Sequence, residues 1–258
     1  MPLLDIRGLS KNFGGIWAVS NLDFEVHPGE ILGLIGPNGA GKTTVFNLIT
    51  GVFPSNRGKI LFKGEDITGD KPFVIASKGV VRTFQLTTVL ESRTVLENML
   101  ISFHLKARSG FWATIFNSQA TNASERAILR ESLEVLDFMG LSHLRDEVAI
   151  NLPHGYQRLL GIAMALGAHP QLLLLDEPVT GMNPEETLKT MDLLNRIRER
   201  GMTILLVEHD MRAVMGLCDR IVVLNFGKKI AEGSADEIRE NRDVIEAYLG
   251  VKRNVAEH

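Results

Sequence analysis

Gly36-Pro37-Asn38-Gly39-Ala40-Gly41-Lys42-Thr43 is the stretch that decides the fold. It satisfies G-x-x-x-x-G-K-S/T, and it lies between an unbroken apolar run, Ile31-Leu32-Gly33-Leu34-Ile35, and a segment of helical pattern from Lys42 to Thr50. Each residue type has a physical task. Glycines reach backbone angles that turn successive N–H groups inward, and they put no side chain in the way of a close-lying phosphate. The helix that starts at the loop adds the positive end of its dipole. Lys42 can reach the β and γ phosphates of a nucleotide, and the Thr43 hydroxyl can coordinate Mg²⁺. A glycine-rich turn that binds nothing is the competing reading, and the strand–loop–helix order argues against it.

Working outward, Leu4-Asp5-Ile6-Arg7 and Leu22-Asp23-Phe24-Glu25-Val26 alternate apolar and polar residues, as half-buried antiparallel strands do. Pro28-Gly29 marks a turn into the apolar run, which predicts a strand buried on both faces. Gly51 stands where a helix begun at Lys42 should stop. Further buried strands are predicted at 80–84, 172–176, 203–208 and 221–224. The region from 87 to 148 differs, with Leu133, Val135, Leu136, Phe138 and Met139 at helical spacing, and reads as a mostly helical insertion. Within it, 107–124 shows no clear period. The segment 235–249 reads as one amphipathic helix.

Leu172-Leu173-Leu174-Leu175-Asp176-Glu177 delivers two adjacent acids to the carboxyl end of a buried strand, the end at which open α/β sheets bind ligands. Neighbours on a strand point to opposite sides, so the two acids should have different tasks. Asp176 fits the Walker B role of holding Mg²⁺. Glu177 fits the group that orients and deprotonates an attacking water. Gln85 follows Val80-Val81-Arg82-Thr83-Phe84, and His209 follows Ile204-Leu205-Leu206-Val207-Glu208, so both also stand at the ends of predicted strands.

Composition sets the outer bounds. A chain of 258 residues, 45% hydrophobic and 23% charged, suits one α/β domain with insertions and is too short for two. A net charge of −3 does not ask for a nucleic-acid partner. Cys218 is the single cysteine, which rules out an intrachain disulfide and fits a reducing compartment. No secretory signal is visible, and apolar runs such as Leu172-Leu173-Leu174-Leu175 fall far short of the ~18 residues that a bilayer span needs. The chain is therefore expected to be soluble and cytoplasmic, reaching a membrane only by docking onto another chain.

Four strand ends thus carry phosphate-directed groups in the order loop, Gln, Asp-Glu, His. In this the chain resembles the nucleotide-binding subunits of ABC (ATP-binding cassette) transporters over nearly its full length. The resemblance implies an α/β P-loop NTPase cassette with an antiparallel β subdomain and a helical subdomain at about 87–168. It implies ATP on Gly36, Pro37, Asn38, Gly39, Ala40, Gly41, Lys42, Thr43 and Thr44. Mg²⁺ falls to Thr43, Gln85 and Asp176, and hydrolysis to Glu177 with His209 and Gln85. Phe13, in Lys11-Asn12-Phe13-Gly14-Gly15, occupies the place of an aromatic that stacks on adenine; its competing reading is a core residue. Gly181-Met182-Asn183-Pro184 occupies the D-loop, through which two nucleotide sites communicate.

The phrases Glu177-Pro178-Val179-Thr180-Gly181-Met182-Asn183-Pro184 and Val207-Glu208-His209-Asp210-Met211 and the ending 244–250 look like the branch that serves branched-chain (hydrophobic) amino-acid importers. That implies a second cassette subunit, like or unlike, together with transmembrane permease subunits and, indirectly, a solute-binding protein. Urea importers and lipopolysaccharide export use close relatives. A soluble mechanical ATPase or a small-molecule kinase are the readings from other classes. Most soluble ABC proteins fuse two cassettes or carry a long coiled coil, and a kinase leaves Glu177 and His209 without roles. The chain departs from the family at Leu152-Pro153-His154-Gly155-Tyr156-Gln157, where Leu-Ser-Gly-Gly-Gln is usual. Pro153 lacks a hydroxyl and an N–H, and Tyr156 replaces the usual Gln, so a weakened contact to the other subunit's ATP is expected unless His154 or the Gly155 amide compensates, while the helix itself should survive.

Overall fold

The computed structural model describes residues 1–83, 89–107 and 118–249. Gln85 and most of the aperiodic stretch 107–124 therefore lie outside the described residues or have no described side chains.

Two sheets organise the chain. The smaller is antiparallel, in the order β2 (Ile16–Val26), β1 (Leu4–Phe13), β4 (Arg57–Phe62), β5 (Glu65–Asp66). The larger runs β10 (Lys228–Gly233), β9 (Arg220–Asn225), β3 (Ile31–Ile35), β8 (Thr203–Val207), β7 (Leu172–Asp176), β6 (Val80–Arg82). All its neighbours are parallel except β10 with β9, so the carboxyl ends of β3, β6, β7, β8 and β9 share one edge.

The apolar runs became strands because alternate residues satisfy two different cores. Ile31, Ile35, Leu173, Leu175, Ile204 and Leu206 face one cluster, together with the helices α3 (Val95–Ala107), α4 (Ser118–Phe138), α5 (His154–Gly167), α6 (Pro184–Glu199) and α7 (Met211–Leu217). Leu32, Leu34, Leu172, Leu174, Leu205 and Val207 face the other, with α1 (Lys42–Ile49) and the antiparallel sheet. A fully buried Leu or Ile contributes about 1.5–3 kcal/mol, so a strand buried on both faces has no permissible slip in register.

Sequence patterning missed β4, β5, β10 and the short helix α2 (Pro72–Ser77), whose residues are largely exposed and show weak alternation. It also needs correction at the carboxyl end. The predicted single helix over 235–249 is two, α8 (Ala235–Glu240) and α9 (Arg242–Leu249), separated by Asn241 in an extended conformation (ψ 119). The Asn241 side chain accepts from the Val244 N–H at 3.2 Å and so starts a second helix, which periodicity alone does not register. Among the described residues, no helix is long and apolar enough to cross a membrane.

Candidate active site

The glycine-rich loop leaves β3 and enters α1 with Gly36 at φ 151, Gly39 at φ 80 and Gly41 at φ 105. A Cβ on Gly36 would meet the Leu224 carbonyl oxygen at 2.1 Å, and one on Gly41 the Ala18 carbonyl at 2.4 Å. Any side chain at either position would force the loop apart. The loop is held from outside by the Gly227 N–H, which donates to Ala40 O at 3.0 Å. The first intrahelical bond runs from the Val45 N–H to Gly41 O, and no side chain caps the helix start. The first-turn N–H groups and the dipole thus face the loop with no acid of the helix's own first turn nearby, an anion-binding arrangement.

Lys42 is buried, and its Nζ donates to the carbonyls of Gly36 (2.6 Å) and Pro37 (3.1 Å). Burial lowers its pKa; the opposing pull of Glu177 and Asp176 places both acids within electrostatic reach. Thr43 is exposed and Thr44 half-buried.

Asp176 ends β7 on the face shared with Leu172 and Leu174, toward α1. Its Oδ2 receives a bond from Arg82 Nη2 at 2.5 Å. Glu177 leaves the strand in the left-handed region (φ 49), which costs a non-glycine residue about 1–3 kcal/mol. Its backbone is held on both sides: its N–H donates to Val207 O at 2.8 Å, and its carbonyl accepts from Arg158 Nη1 at 2.5 Å and from the Thr180 N–H at 3.3 Å. The two acids diverge because of this turn, beyond what strand alternation alone predicts. Glu177 Oε1 lies 3.6 Å from His209 Nδ1. Below them Glu208 is buried, its Oε1 accepting from the Val179 N–H and its Oε2 from the N–H groups of His209 and Asp210. One carboxylate therefore ties the loop after β7 to the loop after β8.

The edge thus gathers Lys42, Thr43, Asp176, Glu177 and His209 around a cradle of unfilled N–H groups. Residues 19–180 match the family model described as "ABC transporter". The chain belongs to the ABC transporter family. Residues 228–253 further match the model "Branched-chain amino acid ATP-binding cassette transporter". The high-affinity branched-chain amino acid transport ATP-binding protein LivG of Escherichia coli is 42% identical over 96% of this chain and 98% of its own length. The corresponding BraF of Pseudomonas aeruginosa is 42% identical with the same coverage. Among solved structures, a nucleotide-free ATP-binding cassette from an ABC transporter superposes with a TM-score of 0.84 at 31% identity, covering 96% of this chain and 99% of the other. MJ1267, an ATP-binding cassette of an ABC transporter, matches in its ADP conformation with a TM-score of 0.84 at 30% identity, over 97% and 99% of the two chains. The family is that of transporter ATPases, and its members bind nucleotide.

Within this ABC cassette the altered signature segment keeps its helix. Pro153, at φ −52, precedes α5 without capping it by a side chain, and Gly155 lies in the first turn. Gln157 is turned inward, donating from Nε2 to the carbonyls of Leu152 (3.0 Å) and Ala149 (3.2 Å). In the segment expected to be the D-loop, Gly181 takes φ 81 and Asn183 forms a reciprocal capping box with Glu186, which fixes where α6 begins. Phe13, at the tip of the β1–β2 hairpin, is 43% exposed, so it is not a core residue. The Phe53 ring packs on it edge-on at 5.4 Å. Sequence reasoning did not single out Arg82, Arg158 or Glu208. The available signal was a charged residue beside an apolar strand or on a largely apolar helix, a position that needs a partner.

Proposed function

We propose that the chain is the ATP-hydrolysing subunit of an importer for branched-chain or other hydrophobic amino acids, working as one of two cassettes on the inner face of a membrane. The observation that carries the amino-acid assignment is the match of 228–253 to the branched-chain model, alongside the LivG and BraF relatives. The chemistry follows from the edge of the larger sheet. Phosphate oxygens would take over the Lys42 Nζ donors from the Gly36 and Pro37 carbonyls, joined by the N–H groups of the glycine-rich loop and of the first turn of α1. Glu177 orients and deprotonates the attacking water, and His209 beside it contacts the γ phosphate. Phe13 offers its exposed ring to adenine.

Mg²⁺ fits the donors present: the Asp176 carboxylate and the exposed Thr43 hydroxyl are hard oxygens flanking the loop, with Gln85 as a further candidate. Among the described residues no group of three or more His, Cys, Asp or Glu side chains forms a metal cage, as suits an ion shared with nucleotide phosphates. When bound, the ion neutralises charge on the β and γ oxygens.

The partner cassette, like or unlike this one, would present its signature helix to this ATP, while Gly155 serves the partner's. Residues 87–168 would form the helical subdomain of the single cassette and meet the permease subunits. A solute-binding protein would act on the far side. Reconstituting the chain with candidate permeases in proteoliposomes tests the reading. ATP-driven leucine, isoleucine or valine uptake is the expected result. Uptake of urea, export of lipopolysaccharide, or turnover with no permease bound would each point to another assignment.

A further inference from the structure

Asp176 is not held by backbone alone. Arg82, on the edge strand β6, reaches across the sheet face from the position paired with Leu174, two residues before Asp176. It makes a fork: Nη2 donates to Asp176 Oδ2 at 2.5 Å, and Nη1 to Asn47 Oδ1 on α1 at 2.7 Å. The guanidinium carbon lies 5.2 Å from the centre of the Phe46 ring, which closes its flat side. Its side chain is 7% exposed, while that of Asp176 remains 21% exposed. Burying a guanidinium costs desolvation that an aliphatic residue would avoid, and such a pair rarely repays it as stability. Nε adds to that cost, having no acceptor among the described residues. What the arrangement does accomplish is geometric. A planar fork fixes the direction of one carboxylate oxygen in a way a flexible ammonium cannot, and it references that oxygen to the helix that follows the phosphate loop.

We propose that Arg82 is a positioning residue for the metal: it claims Asp176 Oδ2, and so aims Oδ1 at the place where Mg²⁺ and the phosphates of ATP meet. This rests on the reading of Asp176 as the Mg²⁺ residue. Partners that orient a metal-binding carboxylate typically change metal affinity by about 10- to 100-fold when removed.

The test uses the full-length chain and equilibrium binding of ATP, followed by calorimetry, once in EDTA and once across a Mg²⁺ titration. Arg82→Met is expected to bind ATP in EDTA like the unaltered chain, but to need about tenfold more Mg²⁺ for half of the metal-dependent gain in affinity. Arg82→Lys, which keeps the charge but cannot span Asn47 and Asp176 together, should need about threefold more, and it decides the matter alone if the Met variant fails to fold. Asp176→Asn should shift the Mg²⁺ midpoint at least as far as Arg82→Met. An unshifted midpoint in the foldable Arg82 variants, with Asp176→Asn shifted, overturns the proposal and leaves the metal reading standing. Equal losses with and without Mg²⁺ in the Arg82 variants also overturn it, since they mark a merely structural role. An unshifted midpoint in Asp176→Asn overturns the metal reading itself.

Discussion

Arg158, in the second turn of the signature helix α5, donates from Nη1 to the backbone carbonyl of Glu177 at 2.5 Å. The bond holds the peptide after the proposed general base, at the point where the backbone enters the left-handed region. The helix proposed to cap the partner's nucleotide is thereby fastened to the acid proposed to activate water at this chain's own. A charge-assisted bond of this kind contributes about 1.5–3 kcal/mol. Replacing Arg158 with Met is expected to lower turnover about tenfold or more in the assembled complex, while ATP affinity of the free chain changes little. Unchanged turnover would show that the bonds to Val207 and Thr180 suffice to hold Glu177.

Lys42 and Glu177 should fail at different steps. Lys42→Ala removes the buried ammonium proposed to hold the phosphates and is expected to abolish ATP binding, read by calorimetry. Glu177→Gln keeps the shape of the side chain and is expected to bind Mg·ATP normally, with hydrolysis slowed by roughly 10² or more. Near-normal phosphate release from the Gln variant would assign the base elsewhere.

The exposed ring of Phe13 gives a third expectation. Phe13→Ala should weaken ATP binding by about 1–3 kcal/mol, and GTP binding similarly, because stacking tolerates any base. Since the Phe53 edge contact is lost too, thermal denaturation should be recorded alongside. A lowered melting temperature with undiminished affinity would mean that the ring only supports the hairpin.

Cys218 offers a measurement independent of nucleotide. Burial behind β3 pushes its thiol from 9.0 up to about 12. The folded chain therefore keeps a proton that the unfolded chain releases above about pH 9, so this contribution to stability is complete below that pH and declines as pH rises toward 12. Urea midpoints should fall more steeply between pH 8 and 10 for the unaltered chain than for Cys218→Ala, with pH 8 and 10 chosen to bracket the unfolded thiol's titration. A disulfide reagent at pH 8 should leave the native thiol untouched, because only thiolate reacts.

Local sequence determined the phosphate loop, the strand before it, α1 and the two-sided burial of β7 and β8. Each depends on interactions within a few residues: glycines that alone permit the loop, and apolar runs that can be buried only as central strands. It also put Asp176 and Glu177 at one strand end and His209 at another. It could not show that these ends meet, because strand order β9-β3-β8-β7-β6 is a long-range property. Only the tertiary structure decided which face Asp176 takes, the left-handed turn that swings Glu177 toward His209, and the burial of Glu208 between two loops. The fork of Arg82 joins residues 35 and 94 positions apart in the chain. No periodicity carries such a contact: a buried charge in a sequence announces that a partner exists, and packing alone chooses which one.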